Sequence, residues 1–134
     1  MSVPGRVTGF SDIAGIERYT RIVVSRLGGP RLHGLEAATF MTRLRGLHAL
    51  PPPGPGDALL IRPCRAVQTW RMRYPIDVIF LDDGGTVLKL CRGVQGSVAI
   101  CRGSIMVIET ASGTTARLGL RRGQTLTVGA GKRA

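Results

Sequence analysis

Between Pro75 and Asp82, in the middle of the chain, every residue except Asp77 is apolar. Successive side chains of a strand point to opposite faces, so every second residue of this segment shares a face. The two faces carry the sets Ile76, Val78, Phe80 and Asp77, Ile79, Leu81. The pattern therefore predicts a strand in which Asp77 lies on an otherwise apolar face.

Short extended segments continue on both sides of this strand. The predicted strands are 58–62, 67–73, 76–82, 86–91, 98–101, 104–110 and 125–128. Asp83, Gly84 and Gly85 supply the tight turn of a hairpin after the third of these strands. Strands at such regular, short spacing predict a mainly β domain, which is a small antiparallel sandwich or a partly open barrel with one or two short helices packed on it.

Helical spacing of apolar residues occurs in three other segments. A first helix is predicted over 16–27, although the β-branched residues at 22–24 also favour a strand. A second helix is predicted over 36–45 and ends at Gly46, because glycine commonly terminates helices. A third, short helix is predicted over 112–118.

The length of 134 residues suits one domain with a single core. We expect an N-terminal, helical extension over 1–30, one domain over 31–129 and a basic, disordered tail over 130–134. Pro75 fits the start of a strand, and Gly123 fits the turn before the last strand. No segment is long and apolar enough to span a membrane and no secretory signal is evident, so a cytoplasmic location is expected.

The formal net charge of +11 raises encounter rates with anionic partners such as nucleic acid or acidic lipid. The basic residues are spread along the chain, however, and aromatic residues that could stack on bases are few. A protein or an anionic small ligand is therefore favoured as the partner, and nucleic acid remains an alternative.

Cysteines are scattered at positions 64, 91 and 101 without CxxC spacing, and both histidines lie far from them in sequence. This spacing argues against a metal site and against a disulfide scaffold, and no motif for a cofactor is present. Cys64 follows Pro63 and precedes Arg65, and a neighbouring cation lowers the pKa of a thiol. Because a cysteine nucleophile normally needs a histidine base, a half-buried structural thiol is the favoured interpretation of Cys64.

Two acids in predicted strands are weak catalytic candidates, Asp77 and Glu109. Facing one another, with Arg73 nearby, they would form a polar cluster able to do acid–base chemistry. An unpaired buried carboxylate is costly, so Asp77 needs a partner, for which Arg71 and Arg73 are the first candidates. The alternative is that each acid is held by an arginine or by backbone amides and only fixes the sheet.

A second candidate site precedes the central strand. It is a surface groove for a peptide or an anionic ligand, formed by Gln68, Trp70, Arg71, Arg73 and Tyr74. Aromatic residues with arginines beside them are common in recognition surfaces. The alternative is that Trp70 belongs to the core or its rim.

Five motifs also carry a family resemblance: RLRGL at 43–47, ALLIRPC at 58–64, MRYPIDVIFLD at 72–82, VIE at 107–109 and ARLGLRRGQTL at 116–126. In this order they resemble the bacterial and archaeal family named domain of unknown function 192 (DUF192), in its short, cytoplasmic type. The resemblance implies a small, mainly β domain with a helix near its start, but no particular reaction. Some members carry export signals, and some are encoded beside pilus-assembly genes.

The chain departs from the family pattern at several positions, including near Gln95, where a proline is usual, and at two other glutamines. Short members commonly have Ser-x-His-Thr where this chain has residues 66–69, so Gln68 replaces a histidine, and Gln124 replaces a usual aspartate. An amide neither titrates near neutral pH nor binds transition metals well. A non-enzymatic binding or accessory domain, linked to pilus or cell-envelope assembly, is therefore the first interpretation, followed by an enzyme of undefined reaction and by a non-specific nucleic-acid binder.

Overall fold

The computed structural model describes residues 19–26, 29–37, 46–70 and 72–131. Over these residues it contains nine strands, β1 Tyr19–Ser25, β2 Arg31–Ala37, β3 Asp57–Ile61, β4 Ala66–Gln68, β5 Ile76–Leu81, β6 Val87–Val94, β7 Val98–Ile100, β8 Met106–Ala111 and β9 Thr127–Ala130. A 3-10 turn spans Gly46–Ala49, and a short helix, α1, spans Thr114–Arg117. The mainly β fold predicted from the sequence is confirmed.

Seven strands form one sheet in the order β6-β5-β8-β3-β2-β1-β9, and β4 pairs with β7 in a separate small sheet. Neighbouring strands are antiparallel except for β2 and β3, which run parallel. The large sheet curls until Thr86 and Thr125, just before its two edge strands, form an isolated bridge. The sheet is thus a partly open barrel rather than a closed one.

Both faces of the large sheet are covered by apolar side chains. The first core contains Leu35, Ala37, Leu47, Leu59, Ile61, Val67, Met72, Ile76, Val78, Phe80, Ala99 and Val107. The second core contains Ile22, Val24, Leu32, Ala58, Leu60, Ile79, Leu81, Val87, Met106, Ile108, Leu118, Leu120 and Leu126. Because strand residues alternate between the two cores, β5 is buried along its entire length.

The small sheet lies over the first core, since Val67 of β4 and Ala99 of β7 both belong to that cluster. The second core is covered by the segment that contains α1 and by the residues that follow it, including Leu118 and Leu120. Burial of a large aliphatic side chain contributes about 2 kcal/mol. Two covered faces therefore let a chain of this length bury many such residues around one sheet.

The expected N-terminal helix is wrong over residues 19–25, which form β1. This strand pairs with β2 on one side and with β9 on the other, and it contributes Ile22 and Val24 to the second core. The β-branched residues 22–24 thus follow their strand preference because partners are present on both sides. The rest of the predicted helix, 16–18 and 27, lies outside the described residues.

The predicted helix over 36–45 does not begin at Glu36, because Glu36 and Ala37 end β2 and pair with Thr20 and Tyr19. Residues 38–45 lie outside the described part of the chain. Of the predicted tail, Ala130 ends β9 and the Gly131 N–H donates to the Arg21 carbonyl at 2.9 Å. The last three residues are likewise outside the described part.

The predicted hairpin after β5 is present. Asp82 Oδ1 accepts hydrogen bonds from the N–H groups of Gly84 (3.0 Å) and Thr86 (2.9 Å), which fixes the turn into β6. Gly85 has a φ of +86°, and a Cβ there would lie 2.1 Å from the Leu126 carbonyl oxygen. Glycine is therefore required at this position both by the turn and by the close approach of the chain leading to β9.

Candidate functional site

Asp77 is fully buried in β5, on the side of the second core. Its Oδ1 accepts a hydrogen bond from the Gly93 N–H at 2.9 Å. Its Oδ2 accepts from the Thr115 N–H at 3.0 Å and from the Thr115 hydroxyl at 2.8 Å. The carboxylate thus joins β5 to the end of β6 and to the first turn of α1, where free backbone N–H groups favour a negative charge.

The arginine partner expected for Asp77 is replaced by these backbone amides and by a hydroxyl. Arg73 is exposed and forms no hydrogen bond or ion pair with the carboxylate, and Arg71 lies outside the described residues. A different arginine, Arg92, contacts the residue that binds Asp77. Its Nε donates to the Thr115 hydroxyl oxygen at 3.0 Å, and its Nη2 donates to the Leu120 carbonyl at 3.2 Å. No pattern in the sequence singled out Arg92, since its partners are more than 20 residues away.

Glu109 lies in β8 on the opposite face of the sheet from Asp77. Asp77 pairs with Thr110 and Val78 pairs with Glu109, so the one-residue offset sends the two carboxylates into different cores. The acid–base cluster of Asp77, Glu109 and Arg73 is therefore not assembled. The alternative interpretation, in which backbone amides hold each acid, describes both carboxylates.

Glu109 is 3% exposed and accepts a hydrogen bond from the Leu47 N–H at 3.0 Å. Burial raises the pKa of its carboxyl from 4.5 to about 7, and the Leu47 N–H acts in the opposite direction without compensating. Gly46 has a φ of +53°, and a Cβ there would lie 2.9 Å from Glu109 Oε1. The glycine expected to end a helix thus also makes room for the buried carboxyl group.

Two other titratable side chains pack against the first core near Glu109, namely Cys64 and Tyr74. Burial and the charge of Glu109 raise the pKa of both the thiol and the phenol. The Cys64 thiol donates to the Ala66 carbonyl at 3.2 Å. A raised pKa opposes thiolate formation, which agrees with the structural thiol favoured for Cys64 over a thiolate activated by Arg65.

Pro75 and Gly123 have the local positions expected of them. Pro75 immediately precedes β5 and is exposed, where its missing N–H removes no ladder hydrogen bond. Gly123 has a φ of +92°, and its N–H donates to the Val87 carbonyl at 2.8 Å. Both residues shape the chain at the ends of strands.

The outer side of the small sheet is apolar and exposed. Val67 and Ala99 point into the first core, so their neighbours in β4 and β7 point outward. Two outward pairs result, Ala66 with Ile100 and Gln68 with Val98. We define the Trp70 face as Ala66, Gln68, Trp70, Val98 and Ile100. Trp70, Ile100 and Val98 are 58%, 53% and 45% exposed.

The Trp70 face is held by hydrogen bonds at its Trp70 end. Gln68 Oε1 accepts from the Trp70 N–H at 3.0 Å, so the glutamine that replaces the usual histidine orients the tryptophan backbone. Thr69 is buried, its N–H and hydroxyl both donate to the Ser97 carbonyl, and its hydroxyl oxygen accepts from the Ser97 N–H. These bonds tie the residue before Trp70 to the residue before β7. The surface is therefore presented on a fixed backbone.

Cations neighbour the Trp70 face along the chain. Arg65 precedes β4, Arg73 follows Trp70 and Arg102 follows β7, and all three side chains are exposed. Lys89 of β6 reaches the same region, where its Nζ donates to the Ile100 carbonyl at 2.9 Å. The combination of exposed apolar side chains and positive charge is that of a surface that binds an acidic partner.

The predicted binding residues thus do not all lie at the surface. Gln68, Trp70 and Arg73 lie at the surface, whereas Tyr74 is half-buried against the first core and is not part of the Trp70 face. Val98 and Ile100 were not among the binding residues predicted from the sequence. All three residues of 98–100 are apolar, although only one face of β7 packs against the core, and this pattern could have indicated an exposed apolar face.

Elsewhere a polar cleft of about 240 Å³ lies at the opening of the barrel, where its lining includes Arg62, Asp83 and Thr125. Arg62 forms an ion pair with Glu36 at 2.7 Å, so part of its guanidinium already has a partner.

Within the described residues, no group of three or more histidine, cysteine or acidic side chains could hold a metal ion. No helix of the same residues is long and apolar enough to cross a membrane.

The curled seven-stranded sheet, its parallel pair and the small covering sheet define a mainly β domain with one short α-helix among its described residues. Residues 28–128 match the family model DUF192, described as "Uncharacterized ACR, COG1430". The chain belongs to this family, as its motifs indicated. No curated protein matches it.

Two solved structures are similar to this chain. One is a proposed transcription regulator of Sinorhizobium meliloti 1021, with a TM-score of 0.69 and 22% identity over 82% of this chain and 93% of that one. The other is a protein of unknown function from Novosphingobium aromaticivorans DSM 12444, with a TM-score of 0.69 and 19% identity over 81% of this chain and 84% of that one. At such identities the likeness shows the fold alone.

Proposed function

We propose that this protein is a non-enzymatic accessory domain that binds an acidic partner protein through the Trp70 face. The observation that carries the proposal is the exposure of Val98 and Ile100 on the outer side of the small sheet and of Trp70 two residues after β4. Tryptophan is enriched among the residues that dominate binding energy at protein interfaces. Large apolar side chains grouped on a surface mark sites of interaction more often than isolated ones do.

The charge around the Trp70 face supports an acidic partner. Exposed Arg65 and Arg73 flank the face along the chain, and Lys89 adds a third cation at the Ile100 end. The whole chain carries a net charge of +11, which speeds encounters with acidic proteins. An accessory role at the cell envelope, suggested by the genes beside some family members, is compatible with such a binding domain.

The contacts of the two buried acids favour binding over catalysis. All three hydrogen bonds of the Asp77 carboxylate join elements of the fold, and the Glu109 carboxyl lies beneath the 3-10 turn on the other face. A catalytic acid or base must reach the proton that it transfers. Neither carboxyl group meets that requirement at the Trp70 face.

The proposal is tested by affinity capture followed by quantitative mass spectrometry. Wild type is compared with Trp70→Ala and Ile100→Thr, and Ile105→Ala serves as a matched control because Ile105 is an exposed apolar residue outside the Trp70 face. We expect both face variants to lose the same acidic protein and the control to keep it. With that protein purified, Trp70→Ala should raise Kd by about thirtyfold, which corresponds to about 2 kcal/mol.

Two results would contradict the proposal. One is a partner that all three variants retain equally, because the Trp70 face would then make no contact with it. The other is capture that nuclease treatment abolishes and that weakens steeply with salt, which would identify nucleic acid as the bound species.

A further inference from the structure

The backbone of β7 exposes an unpaired edge beside the Trp70 face. In the small sheet, Cys101 N–H donates to the Arg65 carbonyl at 2.8 Å and Thr69 N–H donates to the Ser97 carbonyl at 2.8 Å. In an antiparallel pair, hydrogen-bonded and non-hydrogen-bonded positions alternate. Ala99 therefore directs its N–H and C=O toward Val67 of β4, and the two residues beside Ala99 direct theirs away from β4.

The outward groups belong to Val98 and Ile100. The Ile100 carbonyl accepts a hydrogen bond from the Lys89 ammonium at 2.9 Å. The Val98 N–H, the Val98 carbonyl and the Ile100 N–H have no protein hydrogen-bond partner within 19–26, 29–37, 46–70 and 72–131. Val98 and Ile100 are 45% and 53% exposed, so solvent reaches both residues at this edge.

Lys89 has two opposite consequences at this edge. A lysine beside an edge strand normally discourages pairing with another chain. Here, however, the ammonium covers one carbonyl, at Ile100, and leaves the Val98 groups open. An incoming strand that carries an acidic side chain would give Lys89 a charged partner in place of the carbonyl, so the same lysine selects for acidic segments.

We propose, building on the binding function proposed above, that an extended acidic segment of the partner adds to β7 as a third strand of the small sheet. Its backbone pairs with the open N–H and C=O of Val98 and with the Ile100 N–H. Its alternate apolar side chains lie on the Trp70 face beside Val98 and Ile100, and an acidic side chain meets Lys89. Backbone pairing gives this mode of recognition its affinity, and the flanking side chains give its specificity.

A second copy of this chain is the less favourable occupant of the edge. Antiparallel pairing of two β7 strands would bring together two Lys89 ammonium groups and two chains of net charge +11. Like charges placed opposite one another destabilise a strand pair. The acidic segment avoids this repulsion.

The test separates the backbone edge from the side-chain face at one position. Val98→Pro removes the outward N–H but no hydrogen bond to β4, whereas Val98→Thr keeps the N–H and changes the exposed side chain. The probe is a fluorescent peptide of about eight residues that alternates valine and glutamate, a length that matches a typical strand. Binding is followed by fluorescence anisotropy, and a valine–lysine peptide is the charge control.

We expect the valine–glutamate peptide to bind and the valine–lysine peptide to fail. Val98→Pro should weaken binding about tenfold or more, and Val98→Thr about threefold or less. Lys89→Gln should weaken binding and reduce its dependence on salt. Amide hydrogen exchange of the wild type provides a second measurement that needs no variant, because the Val98 and Ile100 N–H groups should become protected when the peptide is added.

Several outcomes would overturn strand addition. Absence of peptide binding or of exchange protection at Val98 would do so, and so would equal affinity of wild type and a folded Val98→Pro variant. If Val98→Thr and Trp70→Ala weaken binding while Val98→Pro does not, the binding function stands and the edge is uninvolved. If none of the three changes binding, both proposals fail. A concentration-dependent dimer that Val98→Pro dissociates would instead assign the edge to a second copy.

Discussion

Replacement of Glu109 by glutamine should stabilise this protein at neutral and alkaline pH. The carboxyl group is buried under the Gly46–Ala49 turn, where it accepts a hydrogen bond from the Leu47 N–H. An ionised carboxylate in this place lacks the solvation that water would supply. Glutamine has nearly the same shape, keeps an oxygen for the Leu47 N–H and carries no charge, so Glu109→Gln removes the cost of ionisation.

The size of the effect follows from the pKa of Glu109, which rises from 4.5 to about 7 in the fold. The folded state binds the proton more tightly than the unfolded state, so the proton contributes stability that is complete below pH 4.5 and is lost as the pH rises through 7. A difference of about 2.5 pH units corresponds to about 3 kcal/mol. For a domain of this length that is about 10 °C in Tm.

The assay is urea unfolding followed by circular dichroism at several values between about pH 4 and pH 9. The stability of Glu109→Gln minus that of wild type should increase through this range and level off above about pH 8, because the glutamine does not titrate. Glu36→Gln is the control, since it removes a carboxylate from the partly exposed pair with Arg62, which contributes about 0–1 kcal/mol. A difference for Glu109→Gln that is constant with pH, or that decreases toward alkaline pH, would refute the reasoning.

Two further predictions concern the frame of the fold. Asp77→Ala leaves the donors of Gly93 and Thr115 without their acceptor. It should lower the free energy of unfolding measured in urea by about 3 kcal/mol or more. A decrease of less than about 1 kcal/mol would contradict the bridging role of Asp77. Gly85→Ala places a Cβ 2.1 Å from the Leu126 carbonyl oxygen, whereas Gly123→Ala meets no atom within 4 Å. Both residues have positive φ, so Gly123→Ala should lower the free energy of unfolding, measured by thermal unfolding, by about 1 kcal/mol. Gly85→Ala should lower it clearly more. Equal decreases would show that the chain moves to relieve the contact between the added Cβ and Leu126.

Local patterns in the sequence predicted the centre of the fold well. The alternation over 76–81 predicted β5 and its two faces, and both faces are apolar because the sheet is covered on both sides. Asp83, Gly84 and Gly85 predicted the hairpin. These features depend on neighbours in sequence, and the chemistry that fixes them is therefore visible there.

Features that depend on distant partners were not predicted. Residues 22–24 form a strand because β2 and β9 flank them, and the parallel pairing of β2 with β3 has no local signal. The partners of Asp77, which are Gly93 and Thr115, lie 16 and 38 residues further along the chain. The position of an acid on an apolar face showed that it needs a partner, but the fold decides which donors arrive.

The pairing of β1 with β9 has a consequence for synthesis of the protein. Ser25 is hydrogen-bonded in register with Thr127, so two strands separated by most of the chain must meet to complete the large sheet. During synthesis on the ribosome, one edge of β1 has no partner strand until the segment that contains β9 has emerged. Closure of so long a loop places folding among the slower small domains, with times of roughly milliseconds to seconds. Nascent chains stalled before residue 127 should therefore be the preferred clients of chaperones that bind exposed strands.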